Sequence, residues 1–488
     1  MDLRGIFSFI PEVKKPEEKK LDFNTKLKWT LIILVAFFVL GNITLYGLSS
    51  NFLERFEFLS TVLAADFGSI ISLGIGPIVM ASIILQLLTG AGIININTST
   101  PEGKKFFQGV QKLLVFFFIV FEAMIYVLMK AFGADPALGS LGPVILIVQL
   151  ILGGLMIFYM DDVCHKWGFG SGVSLFIAAG VSRRLITSAF QFIQKTPNGA
   201  VEVCLLNFKA TACSGKVFVF IQSIINKSPI EATSALAAMI VTVLIFLLVV
   251  WAQSLKIEIP LSFGKIKGYA VKWPLSFFYA SVIPVILAAA LVANIQLFGG
   301  IIENAAQPCI TGEGVCGGMA SFASHFTFLG SFTETGQAVS GLAFWMGSTN
   351  ILDLFIRGGF MWRYLLQGIT HILFFMVFST IFALFWVKTS GMDSKAVSKN
   401  IMSSGLHISG FRQDERVLGS ILDRYIVPLT IMGGAAVGLL ASFTNLLGAL
   451  VSGTAMLLVI MIMFQFYQSI AKDHAMDMNP AMRKFMGG

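Results

Sequence analysis

Residues 275–298 read LSFFYASVIPVILAAALVANIQLF, 24 residues without one charged side chain. The hydrocarbon core of a bilayer is about 30 Å thick and takes roughly 20 apolar residues as a spanning helix. This stretch is therefore long enough to cross, and others accompany it. Ten such runs are legible: Leu27–Leu48, Leu73–Leu88, Val110–Met129, Val144–Met160, Val173–Phe190, Ala235–Trp251, Leu275–Phe298, Tyr364–Trp386, Ile426–Phe443 and Leu446–Phe466. They are too long and too continuously apolar for barrel strands. Composition agrees: 56% of residues are hydrophobic and 12% charged, with a mean hydropathy of +0.83. A soluble domain carries about 25% charge because its surface must be solvated. The expected fold class is an all-α polytopic membrane protein of ten transmembrane helices.

Charge sets the expected topology. On the ten-span reading, 24 of the 34 Lys and Arg residues fall on the side of the N-terminus and 10 on the other. An excess of Lys and Arg marks the cytoplasmic side, so both termini are expected there. The polar, basic residues before Trp29 do not resemble a cleavable leader, and Leu27–Leu48 reads as a retained first span. The cysteines partition in the same sense. Cys204 and Cys213 share one expected outer loop, Cys309 and Cys316 another, and Cys164 falls in an inner loop. Oxidising compartments favour disulfides and the cytosol does not, so Cys204–Cys213 and Cys309–Cys316 are expected to be oxidised and Cys164 free.

The expected organisation is a flexible or interfacial cytoplasmic segment 1–28, an N-terminal half 27–192, an outer loop 193–232, a C-terminal half 233–471 and a tail 472–488. The C-terminal half carries basic inner loops at 256–273 and 388–423 and an outer loop at 299–363, with room for a surface helix near Gly341–Ile356. Inverted five-helix halves are common among transporters and channels, although no residue-level repeat is visible.

The second span is irregular. FLSTVLAADFGS, Phe58 to Ser69, is half-apolar and too short to cross, and Gly74, Gly76 and Pro77 interrupt the helix that follows. Broken backbone survives in a membrane only where it lines a cavity or is buried in protein. A kinked helix with an interfacial lead-in fits the residues equally well.

Four segments carry a family resemblance: GIGPIVMASIILQLLTG from Gly74, WGFGSGVSLFIAAGVS from Trp167, KGYAVKWPLSFFYASVIPVILAAALVANIQLFG from Lys267, and SGLHISGFRQDERVLGSILDRYIVP from Ser404. They resemble the SecY family of protein-translocation channels, more its archaeal and eukaryotic branch than its bacterial one. The resemblance implies two pseudo-symmetric five-helix halves around an hourglass pore, a short plug helix, and a lateral gate toward lipid. Residues 58–69 match the plug, with Phe58, Leu59, Val62, Leu63 and Phe67 as its apolar side chains. The implied pore ring is Ile75, Val79, Val173, Ile177, Ile286 and Leu458. Residues 75 and 79, like 173 and 177, are four apart and share a helix face. A narrow ring of branched aliphatics expels water and ions, yet offers no group that binds a passing chain.

The resemblance also implies a gate asparagine at Asn294 and a polar gate position at Glu122. A third polar member, usually Thr, is replaced here by Met80. It implies ribosome docking through Lys265 and Lys267 in the first basic loop and Arg412 in the second. Ribosomal RNA presents phosphates to such loops, although Lys lacks the bidentate fork of the Arg that the family often carries. The implied partners are small SecE-type (gamma) and beta-type membrane subunits, a ribosome, a nascent polypeptide bearing a signal sequence, and lipid, with no DNA. The expected location is the plasma membrane.

No catalytic constellation is legible. GFGSG at Gly168–Gly172 lacks the Lys-Ser/Thr of a phosphate loop, and no HExxH or GxSxG occurs. No enzyme activity, cofactor or metal is expected. A secondary transporter of a small solute is the alternative, since it too uses broken helices. Ionisable residues within spans are few, chiefly Glu122 and the Arg183–Arg184 pair, which favours the channel.

Overall fold

The computed structural model describes residues 12–17, 21–51, 63–90, 93–94, 101–129, 131–195, 201–204, 213–263, 270–280, 283–311, 325–333, 337–403, 406–408 and 415–478. Among these, nine helices are long and apolar enough to cross a membrane. They are α1 (Phe23–Gly41), α3 (Pro101–Leu128), α4 (Leu141–Trp167), α5 (Gly172–Phe190), α7 (Pro229–Ser254), α8 (Ile283–Thr311), α11 (Trp362–Thr389), α13 (Glu415–Leu447) and α14 (Gly453–Met478). The shorter α2 (Gly76–Gly90) supplies the tenth position. Four lesser helices stand between them: α6 (Lys216–Ile225), α9 (Gly341–Met346), α10 (Ile351–Ile356) and α12 (Ser394–Ser403). Burial separates centre from rim. In α8, 78% of the apolar window is buried, against 11% in α1. In α7, Val243, Leu244, Phe246 and Leu247 are all exposed, the pattern of a helix whose solvent is lipid.

The break in the second span is an ordered turn. Gly74 has φ +54, and a Cβ there would lie 2.3 Å from the Leu63 carbonyl oxygen, so glycine is required. The backbone groups freed by the turn find partners nearby. Ile75 N donates to Leu63 O at 2.8 Å, Leu45 N to Gly68 O at 2.9 Å and Ile70 N to Ile43 O at 2.9 Å. The Ser72 hydroxyl accepts from Gly68 N at 2.9 Å, and the Ser69 hydroxyl donates to Asp66 O at 2.7 Å. Leu63, Ile71, Leu73 and Ile75 are buried. The irregular backbone thus survives at membrane depth because protein encloses it.

Helices α11 and α13 approach closely through Gly434 and Gly438, spaced as a small-xxx-small pair. A Cβ on Gly438 would stand 2.6 Å from Phe375 O. The turn between α13 and α14 starts at Gly448, with φ +67.

Short antiparallel pairs join β1 (Leu48–Asn51) to β2 (Phe132–Ala134), β3 (Ile193–Lys195) to β4 (Val201–Val203), and β7 (Ser331–Phe332) to β8 (Ala338–Ser340). A three-stranded sheet is more consequential. β5 (Lys256–Phe263) pairs with β6 (Ala270–Ser276) on one edge and with β9 (Leu406–Ile408) on the other. The two basic loops, expected as separate flexible connections, are therefore one joined platform.

Other expectations need correcting. The helix assigned to 275–298 begins at Ile283 and continues to Thr311, so the connection expected from Gly299 starts later. The span read as Ile426–Phe443 is the apolar centre of α13, which begins at Glu415 inside the second basic loop. Hydropathy sees only the lipid-depth part of such helices. The second span begins at Gly76 and ends at Gly90. The N-terminal segment is pinned rather than loose where it is described. Val13 N donates to Asp162 Oδ2 at 3.1 Å, Lys166 Nζ to Val13 O at 2.8 Å, and Trp167 Nε1 to Lys14 O at 3.0 Å. Lys112 Nζ lies 2.6 Å from Glu12 Oε1, and that hydrogen bond holds the Glu12 carboxyl below its ordinary range.

Candidate functional site

The six aliphatics expected in a ring meet in one continuous core. Ile75, Val79, Ile177, Ile286 and Leu458 are buried within it, and half-buried Val173 packs against it. Four helices bring them there: α2 packs on α8, α8 on α14, and α14 on α5. Ile75 and Val79 occupy one turn, since Val79 N donates to Ile75 O at 3.0 Å. Val173 is fixed by its own amide, which donates to Asp161 Oδ1 at 2.9 Å, at the start of a helix whose N-cap is Ser171.

Directly beneath Ile75 lies the end of the plug candidate. Leu63 is 1% exposed and accepts the Ile75 amide, so this segment is tied by a backbone bond to a ring residue. Phe67 is half-buried against the same core. Phe58, Leu59 and Val62 lie outside the described residues. Asp66 accepts a hydrogen bond from Arg183 Nη1 of α5 at 3.0 Å. The sequence reading noted Arg183 as an ionisable residue in a span without finding this partner.

Met80, Glu122 and Asn294, the residues expected at a lateral gate, lie on three neighbouring helices. Helix α2, which carries half-buried Met80, packs against α3 on one side and α8 on the other. Glu122 of α3 is 1% exposed, and neither carboxyl oxygen has a hydrogen-bond partner. The N-terminal end of α2 lies close by, where a Cβ on Gly76 would lie 3.1 Å from Oε2. Partial positive charge collects at such a terminus. Asn294 of α8 is 2% exposed, and its Nδ2 is likewise unpartnered. No hydrogen bond joins the two among the described residues. Helix α2 adds buried Gln86, whose Oε1 has no partner, and Ser82, which accepts from Gln111 Nε2 at 2.7 Å. Ser82, Gln86 and Thr89 fall at helical spacing on an otherwise apolar stretch. That periodicity is the signal of this polar stripe in the sequence.

On the far side of α8 from the termini, β8 and α9 are held by one face of α11. Arg363 donates to Val339 O at 2.8 Å and its guanidinium sits 4.3 Å over the Phe344 ring. Gln367 Nε2 donates to Phe344 O at 2.8 Å, Thr370 Oγ1 to Trp345 O at 3.0 Å, and His371 Nδ1 to Met346 O at 2.7 Å. These side chains satisfy the carbonyls that a helix end leaves open.

Of the cysteines, Cys204 and Cys213 form a disulfide with Cα atoms 5.4 Å apart, and Cys164 is free and buried. The side chain of Cys309, in the last turn of α8, and all of Cys316 lie outside the described residues, as do Lys265, Lys267 and Arg412. The strands that flank Lys265 and Lys267, and the strand that precedes Arg412, belong to the shared sheet. Among the described residues no group of His, Cys, Asp and Glu has the arrangement of a metal site.

Comparison with known proteins follows the same outline. Residues 69–467 match the SecY family and residues 35–68 the plug domain of Sec61p. The protein translocase subunit SecY of Methanothermobacter thermautotrophicus is 39% identical, covering 99% of this chain and 98% of that one. That of Methanocaldococcus jannaschii is 37% identical over 99% and 98%. Among solved structures, one described as a protein-conducting channel superposes with a TM-score of 0.78 at 36% identity, over 99% of both chains. Sec61 in the canine ribosome-channel complex from the endoplasmic reticulum gives 0.74 at 35%, also over 99% of both.

Proposed function

The chain belongs to the SecY family, and from that membership we infer that it is the pore-forming subunit of a protein-translocation channel. It passes unfolded secretory polypeptides across the membrane and releases transmembrane segments sideways into lipid. One observation supports the assignment of its parts: Ile75, a ring residue, is hydrogen-bonded through its amide to Leu63 at the end of the plug candidate. In the resting channel the aliphatic ring of Ile75, Val79, Val173, Ile177, Ile286 and Leu458 excludes water and ions. The plug, expected at residues 58–69, seals the resting channel over this ring. An entering polypeptide displaces the plug, breaking the Leu63–Ile75 bond and the Asp66–Arg183 pair.

The lateral gate lies along α2, α3 and α8. Closed, it keeps both Glu122 carboxyl oxygens and the Asn294 Nδ2 without partners, a state that is costly at low dielectric. Opening gives both access to water or to the incoming chain. The seam is thus poised by polar groups that oppose closure, with apolar packing holding it shut. The driving force comes from outside the chain. A translating ribosome, docked on Lys265, Lys267 and Arg412 of the two basic loops, supplies it. SecE-type and beta-type subunits complete the complex in the plasma membrane, with both termini cytoplasmic.

Reconstitution tests this reading. Purified channel with its small subunits, placed in proteoliposomes, should protect a secretory polypeptide from added protease. It should pass no small solute at rest. Saturable solute uptake with no polypeptide protection would favour the transporter alternative.

A further inference from the structure

A cavity of about 140 Å³ opens on the face opposite the termini, where α6, α7, α10 and the turn between α13 and α14 converge. Its polar wall is built around Asp353 of α10. Ser234 donates to Asp353 Oδ1 at 2.6 Å and Arg357 Nε to Oδ2 at 2.9 Å, while Asn350 Oδ1 accepts the Asp353 amide at 3.0 Å. Burial opposes ionisation of Asp353, but these two donors and the nearby Lys216 charge prevail and hold the carboxyl below its ordinary range. Both carboxyl oxygens are thereby committed to the protein. The cations are not. Among the described residues, the Lys216 ammonium has no acceptor and the Arg357 terminal nitrogens make no hydrogen bond beyond the Nε contact. Two cations against one engaged carboxylate leave the mouth net positive. The Arg357 side chain is 53% exposed and so can be reached.

The elements around the cavity are those of a lipid-facing rim. Helix α6 exposes Ile221, Ile224 and Ile225, α7 begins with exposed Ile230, and α10 exposes Phe355. A short helix showing apolar side chains beside a basic residue lies in the headgroup plane of a bilayer. Lys and Arg at that depth hold their charges at phosphate level.

We propose that Lys216 and Arg357 bind the phosphate of a membrane lipid in the leaflet opposite the termini, with Asp353 and Ser234 orienting the guanidinium. Lys216 supplies a point charge, and Arg357 supplies the terminal edge of a planar fork suited to phosphate oxygens. The lipid chains run down beside α6 and α7. The site uses none of the ring or gate residues and does not depend on their roles.

Native mass spectrometry of the full chain in neutral detergent tests this. The titrants are an anionic phospholipid, a glycolipid of matched chains without phosphate, and inorganic phosphate as competitor. The expected result is saturable binding of the phospholipid alone, weakened about tenfold in Lys216→Gln/Arg357→Gln. It should be retained in the charge-conserving Lys216→Arg/Arg357→Lys protein, with melting temperatures confirming that all three fold. Equal phospholipid binding by wild type and the Gln double variant would overturn the proposal. So would glycolipid binding as tight as phospholipid, or displacement of the lipid by millimolar inorganic phosphate, which would mean a free-anion site.

Discussion

Replacing Asn294 with Leu should make the lateral gate harder to open, and the size of the effect follows from its surroundings. In the closed structure Asn294 is 2% exposed with its Nδ2 unpartnered. A buried polar group left without a hydrogen bond costs about 1–3 kcal/mol. Leucine keeps the number and branching of the side-chain heavy atoms and has no polar atom, so the substitution removes that cost from the closed state. Because each 1.4 kcal/mol is a factor of ten, the gate equilibrium should move roughly 5- to 150-fold toward closed. A passing segment must recover the difference by its own transfer to lipid. At about 0.6 kcal/mol for each central leucine, the integration midpoint should rise by about two to five leucines. A graded Leu/Ala reporter series expressed with wild-type or variant channel measures that midpoint. Glu122→Leu should move it in the same direction, since its carboxyl oxygens are also unpartnered. A lower midpoint would show that these groups hold the seam together. An unmoved midpoint in both variants would remove them from the gate.

Other expectations follow from the same geometry. Gly or Ser at Ile75, Val79, Ile177 or Ile286 should make the resting channel conduct ions in planar bilayers, and unchanged conductance in combined substitutions would place the barrier elsewhere. Charge reversal at Arg412, or at Lys265 with Lys267, should weaken ribosome co-sedimentation in a strongly salt-dependent way; equal binding by a triple reversal would discard these residues. Alkylation with mass mapping should find Cys204–Cys213 and Cys309–Cys316 oxidised and Cys164 free; free thiols at all four outer positions would overturn the pairing, and membrane-impermeant labelling of Cys164 from outside would overturn the topology. Glu12 titrates lower when its segment is docked than when it is released, so its contribution is present above the ordinary carboxylate range and lost as pH falls through the depressed value. Hydrogen exchange at the Val13 amide, corrected for intrinsic rate, should therefore accelerate in acid, and Glu12→Gln should reproduce the acid behaviour at neutral pH.

What the sequence made legible was what lipid dictates. Length and apolarity reveal the spans, and Gly74, Gly76 and Pro77 mark the broken one before any coordinates. The aliphatic ring is different, because an isoleucine in an apolar run carries no signal of its own; only motif resemblance picks out Ile75 or Ile286. Pairing between Leu261 and Ile408 is separated by most of the C-terminal half, and no local pattern encodes it. The arms of the basic loops therefore read as coil. Arg183 was visible as an oddity, but its partner Asp66 lies over a hundred residues away. The unpartnered Glu122 carboxyl oxygens and Asn294 Nδ2 are a property of packing, which no local pattern encodes.

The clasp of α11 on α9 bears on how the protein is made. Helix α9 has six residues, far below the length at which a helix persists in water. Its carbonyl partners Gln367, Thr370 and His371 all come later in the chain. During synthesis α9 emerges first and has nothing to hold it until the following span arrives. Residues 339–347 therefore remain open to modifying enzymes, chaperones and proteases for the time taken to make and insert α11. A probe that reacts with this stretch on stalled chains, and no longer reacts once residue 371 is in place, would date the moment at which α11 clasps α9.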